Sequence, residues 1–246
     1  MYICYNLGCM NIFIVSLNKS DGKTVISAGI AAVMQSLGYK AGVYKPIQTS
    51  AIDKRKYLLS PDLTFVKMLD KYITTHSTYM FKEKTIPAFA AKKENKIIDL
   101  QEIMKDYSIL AEKTDILICE ADLGLMTPIS EDSFIYNIPL TLNLPVIFIV
   151  TPSNDSVNNY LSQIQLAKSL GINIAGTIIN KFPVYSENEE IKAFPEIIEK
   201  YSDVKILGLI RNFREKSVQT NILINEIING IDLQDVFQMK IPKLNI

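Results

Sequence analysis

The chain has 246 residues, 48% apolar and 21% charged, with 26 basic and 26 acidic side chains and a formal net charge of zero. That length can bury a core without disulfides or metal, and the charge balance argues against a nucleic-acid binder with a broad basic face. Three scattered cysteines (Cys4, Cys9, Cys119) and one histidine, His76, exclude a disulfide framework and a multi-histidine metal centre.

Residues 1–9 read as an extension or an alternative start ahead of Met10. They lack the basic n-region and small-residue cleavage site of a signal peptide. No run is long enough for a membrane span, so the expected location is the cytoplasm. From Met10 onward, short apolar runs alternate with longer amphipathic ones. Residues 12–16 read as a buried strand. Residues 23–37 read as an Ala-rich helix stopped by Gly38. A strand follows at 41–44, then a helix over 61–72 with Ser60 at its cap and Pro61 in its first turn. His76 falls in the polar run Thr74-Thr75-His76-Ser77-Thr78 and reads as a loop histidine. A helix over 100–111, strands at 116–119 and 145–150, and a helix over 156–170 ended by Gly171 come next. Strands at 174–179 and 205–209 and a late helix over 221–230 complete the pattern. Strand–helix alternation with apolar strands implies a doubly wound, mostly parallel sheet with helices on both faces, in one domain spanning 1–246. Ligands then collect beyond the carboxyl ends of the strands.

The first strand-to-helix turn, Ser16-Leu17-Asn18-Lys19-Ser20-Asp21-Gly22-Lys23-Thr24, ends as a phosphate-binding loop does. Backbone N–H groups and the helix dipole cradle phosphate there; Lys23 can reach the β- and γ-oxygens, and the Thr24 hydroxyl can ligate Mg²⁺. The fold is therefore expected to be P-loop NTPase-like, with a nucleotide and Mg²⁺ as ligands. Asp21 places a carboxylate beside the phosphates, at an electrostatic cost unless Mg²⁺ or Lys19 offsets it. Lys45, at the exit of the second strand and followed by Pro46, aims a cation at the same crevice, with Thr49 and Ser50 close behind. The alternative on this segment alone is a surface lysine in a turn. Glu120 stands at the carboxyl tip of a buried strand, and Asp62 heads a helix. Together with Thr24 and phosphate oxygens they suffice for Mg²⁺. Asp62 can also be a first-turn acid favoured by the helix dipole.

Several segments resemble dethiobiotin synthetase: Gly22-Lys23-Thr24, Tyr44-Lys45-Pro46-Ile47-Gln48-Thr49, Pro61-Asp62, Ile86-Pro87-Ala88-Phe89-Ala90-Ala91, Glu120-Ala121-Asp122-Leu123-Gly124 and Gly176-Thr177-Ile178-Ile179-Asn180. The likeness runs from about residue 10 to 208, and the Tyr-Lys-Pro-x-Gln-Thr run is its most specific piece. It implies ATP-dependent carboxylation of 7,8-diaminopelargonate and ring closure to dethiobiotin, through a carbamate and a carbamic-phosphoric anhydride. By position, the resemblance implies that residues 19–24 (Lys19, Ser20, Asp21, Gly22, Lys23, Thr24) surround the phosphates and that Asn180 binds the adenine edge. Thr24, Asp62 and Glu120 hold Mg²⁺, while Lys45 neutralises the carbamate and the transferring phosphoryl with Thr49 beside it. Asn158 anchors the substrate's distant carboxylate across a homodimer interface. Phosphoryl transfer of this kind needs positioning and charge neutralisation, not a covalent nucleophile or a histidine.

The chain departs from the family pattern at several points. Ser16 replaces the loop's first glycine, Lys19 and Ser20 replace a threonine and an acid, and Phe89 replaces a histidine. Ala-Asp-Leu-Gly follows Glu120 instead of Gly-Ala-Gly-Gly. Asn154-Asp155-Ser156 stands at the helix start that receives the substrate carboxylate, and Arg211 replaces a proline. Two other readings stay open. One is an ATP-dependent ligase of the same scaffold with a different substrate. The other is a non-catalytic nucleotide switch like the partitioning ATPases, in which a lysine precedes the loop lysine by five residues; here that residue is Asn18.

Overall fold

The computed structural model describes residues 10–153, 155–212 and 220–241. The N-terminal extension with Cys4 and Cys9, and Asn154, lie outside them. The chain begins with β1 (Ile12–Ser16), a turn of 3-10 helix (Lys19–Asp21), α1 (Lys23–Ser36) and β2 (Ala41–Tyr44). Four two-residue strands decorate the following stretch: β3 (Ile47–Gln48), β4 (Ile52–Asp53) and β5 (Leu58–Leu59), then, after α2 (Pro61–Leu69) and β6 (Thr74–His76), β7 (Tyr79–Met80). Next come α3 (Pro87–Lys93), α4 (Leu100–Ala111), β8 (Ile116–Glu120), α5 (Asn137–Leu142) and β9 (Val146–Val150). The chain closes with α6 (Ser156–Ser169), β10 (Ile174–Phe182), α7 (Glu189–Ser202), β11 (Ile206–Arg211), α8 (Thr220–Gly230) and α9 (Leu233–Phe237).

Seven strands form one sheet in the order β11-β10-β9-β1-β8-β2-β6. Every pairing within it is parallel. The strand sequences account for this: β1, β8 and β9 are buried at every position, as strands covered on both faces must be. Alternation sorts the side chains. Ile12 and Ile14 join Ile118 and Ile149 in a core covered by α1, α2, α8 and α9. Phe13 and Val15 join Cys119, Phe148 and Val150 in a core on the other face, covered by α3 to α7. At Gly29 a Cβ would lie 2.6 Å from Ile227 Cγ1, so α1 and α8 pack close.

The topology positions the site. From β1 the chain builds β2 and β6 on one side, returns through β8, and then crosses β1 to build β9, β10 and β11 on the other. The carboxyl ends of β1, β8 and β2 therefore lie side by side at the reversal, where α/β sheets bind ligands.

Three expectations need correction. His76 is not in a loop: it ends edge strand β6, pairs with Tyr44 in register, and its Nε2 lies 2.8 Å from Asp106 Oδ2 on α4. An edge strand has one side free of pairing, so it tolerates a polar sequence that reads as a loop. The segment between β10 and β11 carries a 14-residue helix, α7, which the sequence reading did not assign. Its apolar seam, Ile191, Phe194 and Ile198, is at helical spacing behind the Asn188 cap, but Pro195 and the acidic residues around it hide the pattern. Finally, the helix expected over 61–72 stops at Leu69, where Asp70 turns to extended backbone.

Candidate functional site

The phosphate-loop candidate starts where β1 ends. Ser16 Oγ donates to the Asn18 carbonyl at 2.6 Å and accepts from Lys23 Nζ at 2.9 Å. The residue that replaces the usual glycine therefore ties the loop to its lysine. Asn18 N–H donates to Asp21 Oδ2 at 2.7 Å, closing the 3-10 turn, and Gly22 takes φ +83° so that α1 can begin at Lys23. Asp21 is buried, and that burial raises its pKa against the Asn18 hydrogen bonds. The end of β10 clamps the loop. Asn180 Nδ2 donates to the Asp21 carbonyl at 2.8 Å, and Lys181 Nζ to the Ser20 carbonyl at 3.0 Å. Lys19 is exposed, its Nζ 3.5 Å from Ser50 Oγ. Lys23 is buried; burial first, then repulsion from Lys45, lowers its pKa.

The second part of the site is built around Lys45. Its backbone N–H donates to the His76 carbonyl at 2.9 Å, which seats it one residue past β2. Its Nζ lies 2.6 Å from Asp62 Oδ2, 2.9 Å from Glu120 Oε1 and 3.8 Å from Asp122 Oδ1. Burial on its own would lower the Lys45 pKa. Glu120, Asp62 and Asp122 outweigh it and hold the ammonium above the ordinary lysine value. Thr24 Oγ1 donates to the same Glu120 oxygen at 2.8 Å, and Thr49 Oγ1 to Asp122 Oδ2 at 2.6 Å. Asp62 sits in the first turn of α2, behind Ser60, which caps the Leu63 N–H at 3.1 Å. Ser60 in turn donates to Gln48 Oε1 at 2.5 Å, and Gln48 Nε2 donates to the Thr49 carbonyl at 2.7 Å. Gln48 thus joins the Lys45–Thr49 run to the helix that carries Asp62.

Thr24, Asp62 and Glu120, grouped from the sequence as a Mg²⁺ set, are linked here through Glu120 Oε1 and the Lys45 ammonium. Glu120 Oε2 is buried without a hydrogen-bond partner. A buried carboxylate oxygen left open, beside a second carboxylate and a hydroxyl, suits a hard divalent cation. Among the described residues no group of three or more His, Cys, Asp and Glu side chains holds a metal by itself. Such a cation therefore needs the threonine and phosphate oxygens as well.

Other predicted residues fall elsewhere. Asn158 is exposed on α6 and makes no hydrogen bond to this cluster. Its neighbour Asn159 lines a cleft of about 430 Å³ with Leu17, Asn18, Leu123, Gly124 and Met126. Asp155 stands at the N-cap of α6 without capping it; Ser156 Oγ accepts the Ser153 N–H instead, at 2.8 Å. Phe89 is half-exposed on α3. Sequence reading found Ser60 as the cap of α2 but missed its hydrogen bond to Gln48, and it named Asp122 only as a departure in the run after Glu120. Its signal was there: a third acid at the tip of a strand that already ends in Glu120.

A family model described as an AAA domain matches residues 10–218. ATP-dependent dethiobiotin synthetase BioD of Bacillus cereus (strain B4264) is 31% identical over 214 residues, 86% of this chain and 87% of the relative. The protein of the same name from Bacillus subtilis (strain 168) is 30% identical over 200 residues, covering 80% and 85%. Among solved structures, the septum site-determining protein MinD of Pyrococcus horikoshii, complexed with Mg-ADP, superposes with a TM-score of 0.57 at 18% identity, covering 89% of this chain and 94% of that one. The MinC:MinD cell division complex of Aquifex aeolicus gives 0.55 at 15% identity, over 95% and 97%. These structural likenesses carry the fold alone, which is P-loop NTPase-like.

Proposed function

The chain belongs to the dethiobiotin synthetase family, and we propose that, as a single domain, it carries out that family's reaction: ATP- and Mg²⁺-dependent carboxylation of 7,8-diaminopelargonate and closure of the ureido ring. One amine of the substrate takes up CO₂ as an N-carboxylate. A carboxylate oxygen attacks the γ-phosphorus of ATP, giving the mixed anhydride and ADP. The second amine, in its neutral form, attacks the anhydride carbon, the C–O bond to phosphate breaks, the amine's proton passes to the departing phosphate, and dethiobiotin and phosphate leave.

In this reading Lys23 holds the β- and γ-phosphates within the loop formed by Lys19, Ser20, Asp21 and Gly22. Thr24, Asp62 and Glu120 would hold Mg²⁺, which when bound would supply positive charge to the transferred group. Lys45 neutralises the N-carboxylate and the phosphoryl group, with Thr49 beside it. Asn180, which already braces the loop, offers its amide to the adenine edge. Asn158, exposed on a single chain, meets the substrate's distant carboxylate from the partner of a homodimer. No helix of the described residues is long and apolar enough to cross a membrane, in keeping with the cytoplasmic location this reading gives the protein.

The observation that carries the reading is the sharing of Glu120 Oε1 between Thr24 (2.8 Å) and Lys45 (2.9 Å), with Asp62 on the same ammonium. It couples the phosphate loop to the lysine of the Tyr-Lys-Pro-x-Gln-Thr run. The test is formation of dethiobiotin, dependent on ATP, Mg²⁺ and bicarbonate, followed by mass spectrometry. Lys45→Gln should lower turnover on the order of a hundredfold while ATP binding changes far less, because a preorganised charge is lost where charge develops. No dethiobiotin from a wild type that binds ATP overturns the reading. The buried third carboxylate, Asp122, is the feature that favours the second reading, a ligase of the same scaffold with a different substrate.

A further inference from the structure

We propose that the β4–β5 hairpin is an electrostatic capture surface for the nucleotide: three exposed cations at its tip draw the polyanion to the phosphate loop and set how fast it arrives, not how long it stays. This rests on the reading that the phosphates bind at the Lys23 loop.

The hairpin leaves one part of the site and returns to another. It follows Ser50, whose Oγ lies 3.5 Å from Lys19 Nζ on the phosphate loop, and it ends at Ser60, which donates to Gln48 and caps the helix that carries Asp62. Its root is fastened. Ala51 N–H donates to the Phe81 carbonyl at 2.8 Å, Ser50 N–H donates to the Glu83 carbonyl at 3.0 Å, and Ile52 pairs with Leu59. The tip, Lys54-Arg55-Lys56, is exposed at every residue. Lys54 is four residues from Ser50 and Lys56 four from Ser60, so each Cα lies within about 15 Å of a residue that touches the site.

The charge of this tip is uncompensated. The acids packed at its root are already engaged: Asp53 with Lys82 at 2.8 Å, Glu83 with Lys93 at 3.0 Å and Glu94 with Lys96 at 3.3 Å. Among the described residues no carboxylate pairs with Lys54, Arg55 or Lys56 through its side chain. The backbone adds an independent observation. Arg55 takes φ +67°, a left-handed conformation that glycine or asparagine adopts at less cost. The turn is locked there, because Asp53 Oδ1 accepts the Arg55 N–H at 2.7 Å and the Tyr57 carbonyl accepts the Lys54 N–H at 3.0 Å. A long cation is thus held at a position that backbone preference alone gives to a small residue.

Fixed charges at the rim of a cleft act on a diffusing anion over a Debye length, about 20 Å at about 20 mM salt and about 4 Å at about 0.5 M. The tip therefore reaches the loop in dilute salt and not in concentrated salt. Rim charges change the association rate, whereas contacts with the bound phosphates, which belong to the loop, set the dissociation rate.

The test is stopped-flow binding of methylanthraniloyl-labelled ATP with Mg²⁺ to the full chain. The variant Lys54→Gln/Arg55→Gln/Lys56→Gln is compared with Lys40→Gln/Lys113→Gln/Lys200→Gln, which removes the same charge from exposed residues ahead of β2, β8 and β11, at the opposite end of the sheet. At about 20 mM salt the hairpin variant should associate at least about threefold more slowly, with dissociation within about 1.5-fold of wild type, and the difference should vanish by about 0.5 M. The distal variant should stay within about 1.5-fold of wild type in both rates. An unchanged association rate, an equal fall in the distal variant, or a change confined to dissociation overturns the proposal. So does a wild-type association rate independent of salt, a test that stands even if the variant does not fold. Binding that survives Lys23→Ala lies outside the loop and overturns it too. Dethiobiotin formation is followed in parallel. Slower, salt-dependent association in the hairpin variant of a chain that makes no dethiobiotin supports the capture surface and overturns the proposed reaction. Dethiobiotin formed with no such difference does the reverse, and a wild type that binds no nucleotide overturns both.

Discussion

Replacing Lys45 by methionine removes one charge and nearly no volume, and its effect follows from what surrounds it. Lys45 is 2% exposed, and the side chains of Glu120 and Asp122 are 1% exposed; Asp62 is 31% exposed, so water screens much of its share. The variant leaves two buried carboxylates without their cation. Breaking a buried pair from one side typically costs about 3–5 kcal/mol. For a domain of this size 1 kcal/mol moves Tm by about 2–4 °C, so the expected fall is roughly 6–20 °C. The dependence on pH has a definite sign. The folded-state pKa of Lys45 lies above the ordinary lysine value, so its contribution is complete below about pH 10 and is lost only as pH rises through the raised value. Mg²⁺ should restore part of the lost stability, because it replaces positive charge at the same oxygens. The assay is thermal unfolding by circular dichroism near pH 8, with and without MgCl₂. A variant that melts within about 2 °C of wild type near pH 8 refutes the reasoning, since the carboxylates would then not depend on Lys45 for their charge.

Three further outcomes are expected. Gly22→Ala puts a Cβ 2.4 Å from Asn180 Nδ2 at a φ of +83°; it should weaken ATP binding at least about tenfold, as isothermal titration can show. Asp21→Asn keeps an acceptor for the Asn18 N–H. Because burial raises the Asp21 pKa, the wild-type carboxylate is a growing cost as pH rises above the ordinary value. The variant should therefore be more stable than wild type near neutral pH, lose that advantage toward about pH 4, and bind ATP severalfold more tightly. Light scattering at micromolar concentration should give twice the chain mass; a monomer would contradict the dimer that Asn158 requires in the proposed reading.

Local sequence determined the parts. Residues 12–15 and 146–150 are apolar at every position, so they can only be strands covered on both faces. Gly22-Lys23-Thr24 can only open a helix after such a strand, and Ser60-Pro61 can only start one; these preferences lie in backbone dihedrals and caps a few residues long. The same local character made α7 and β6 hard to read. Pro195 interrupts a helical seam held by packing of Phe194 and Ile198, and His76 belongs to a polar strand that exists because Val43 and Tyr44 pair with it. Lys45, Asp62 and Glu120 were each visible as a charge at or next to the end of an element, but nothing local says that the two acids share the Lys45 ammonium. Positions 45 and 120 are 75 residues apart, and they meet because β2 pairs with β8 in a register that sets Tyr44 opposite Cys119. Strand order and register are decided by which faces the whole chain can cover at once. Only the assembled sheet could therefore turn Asp122 from a stray acid in a loop into a partner of the lysine, and Gln48 from a strand residue into the brace of α2.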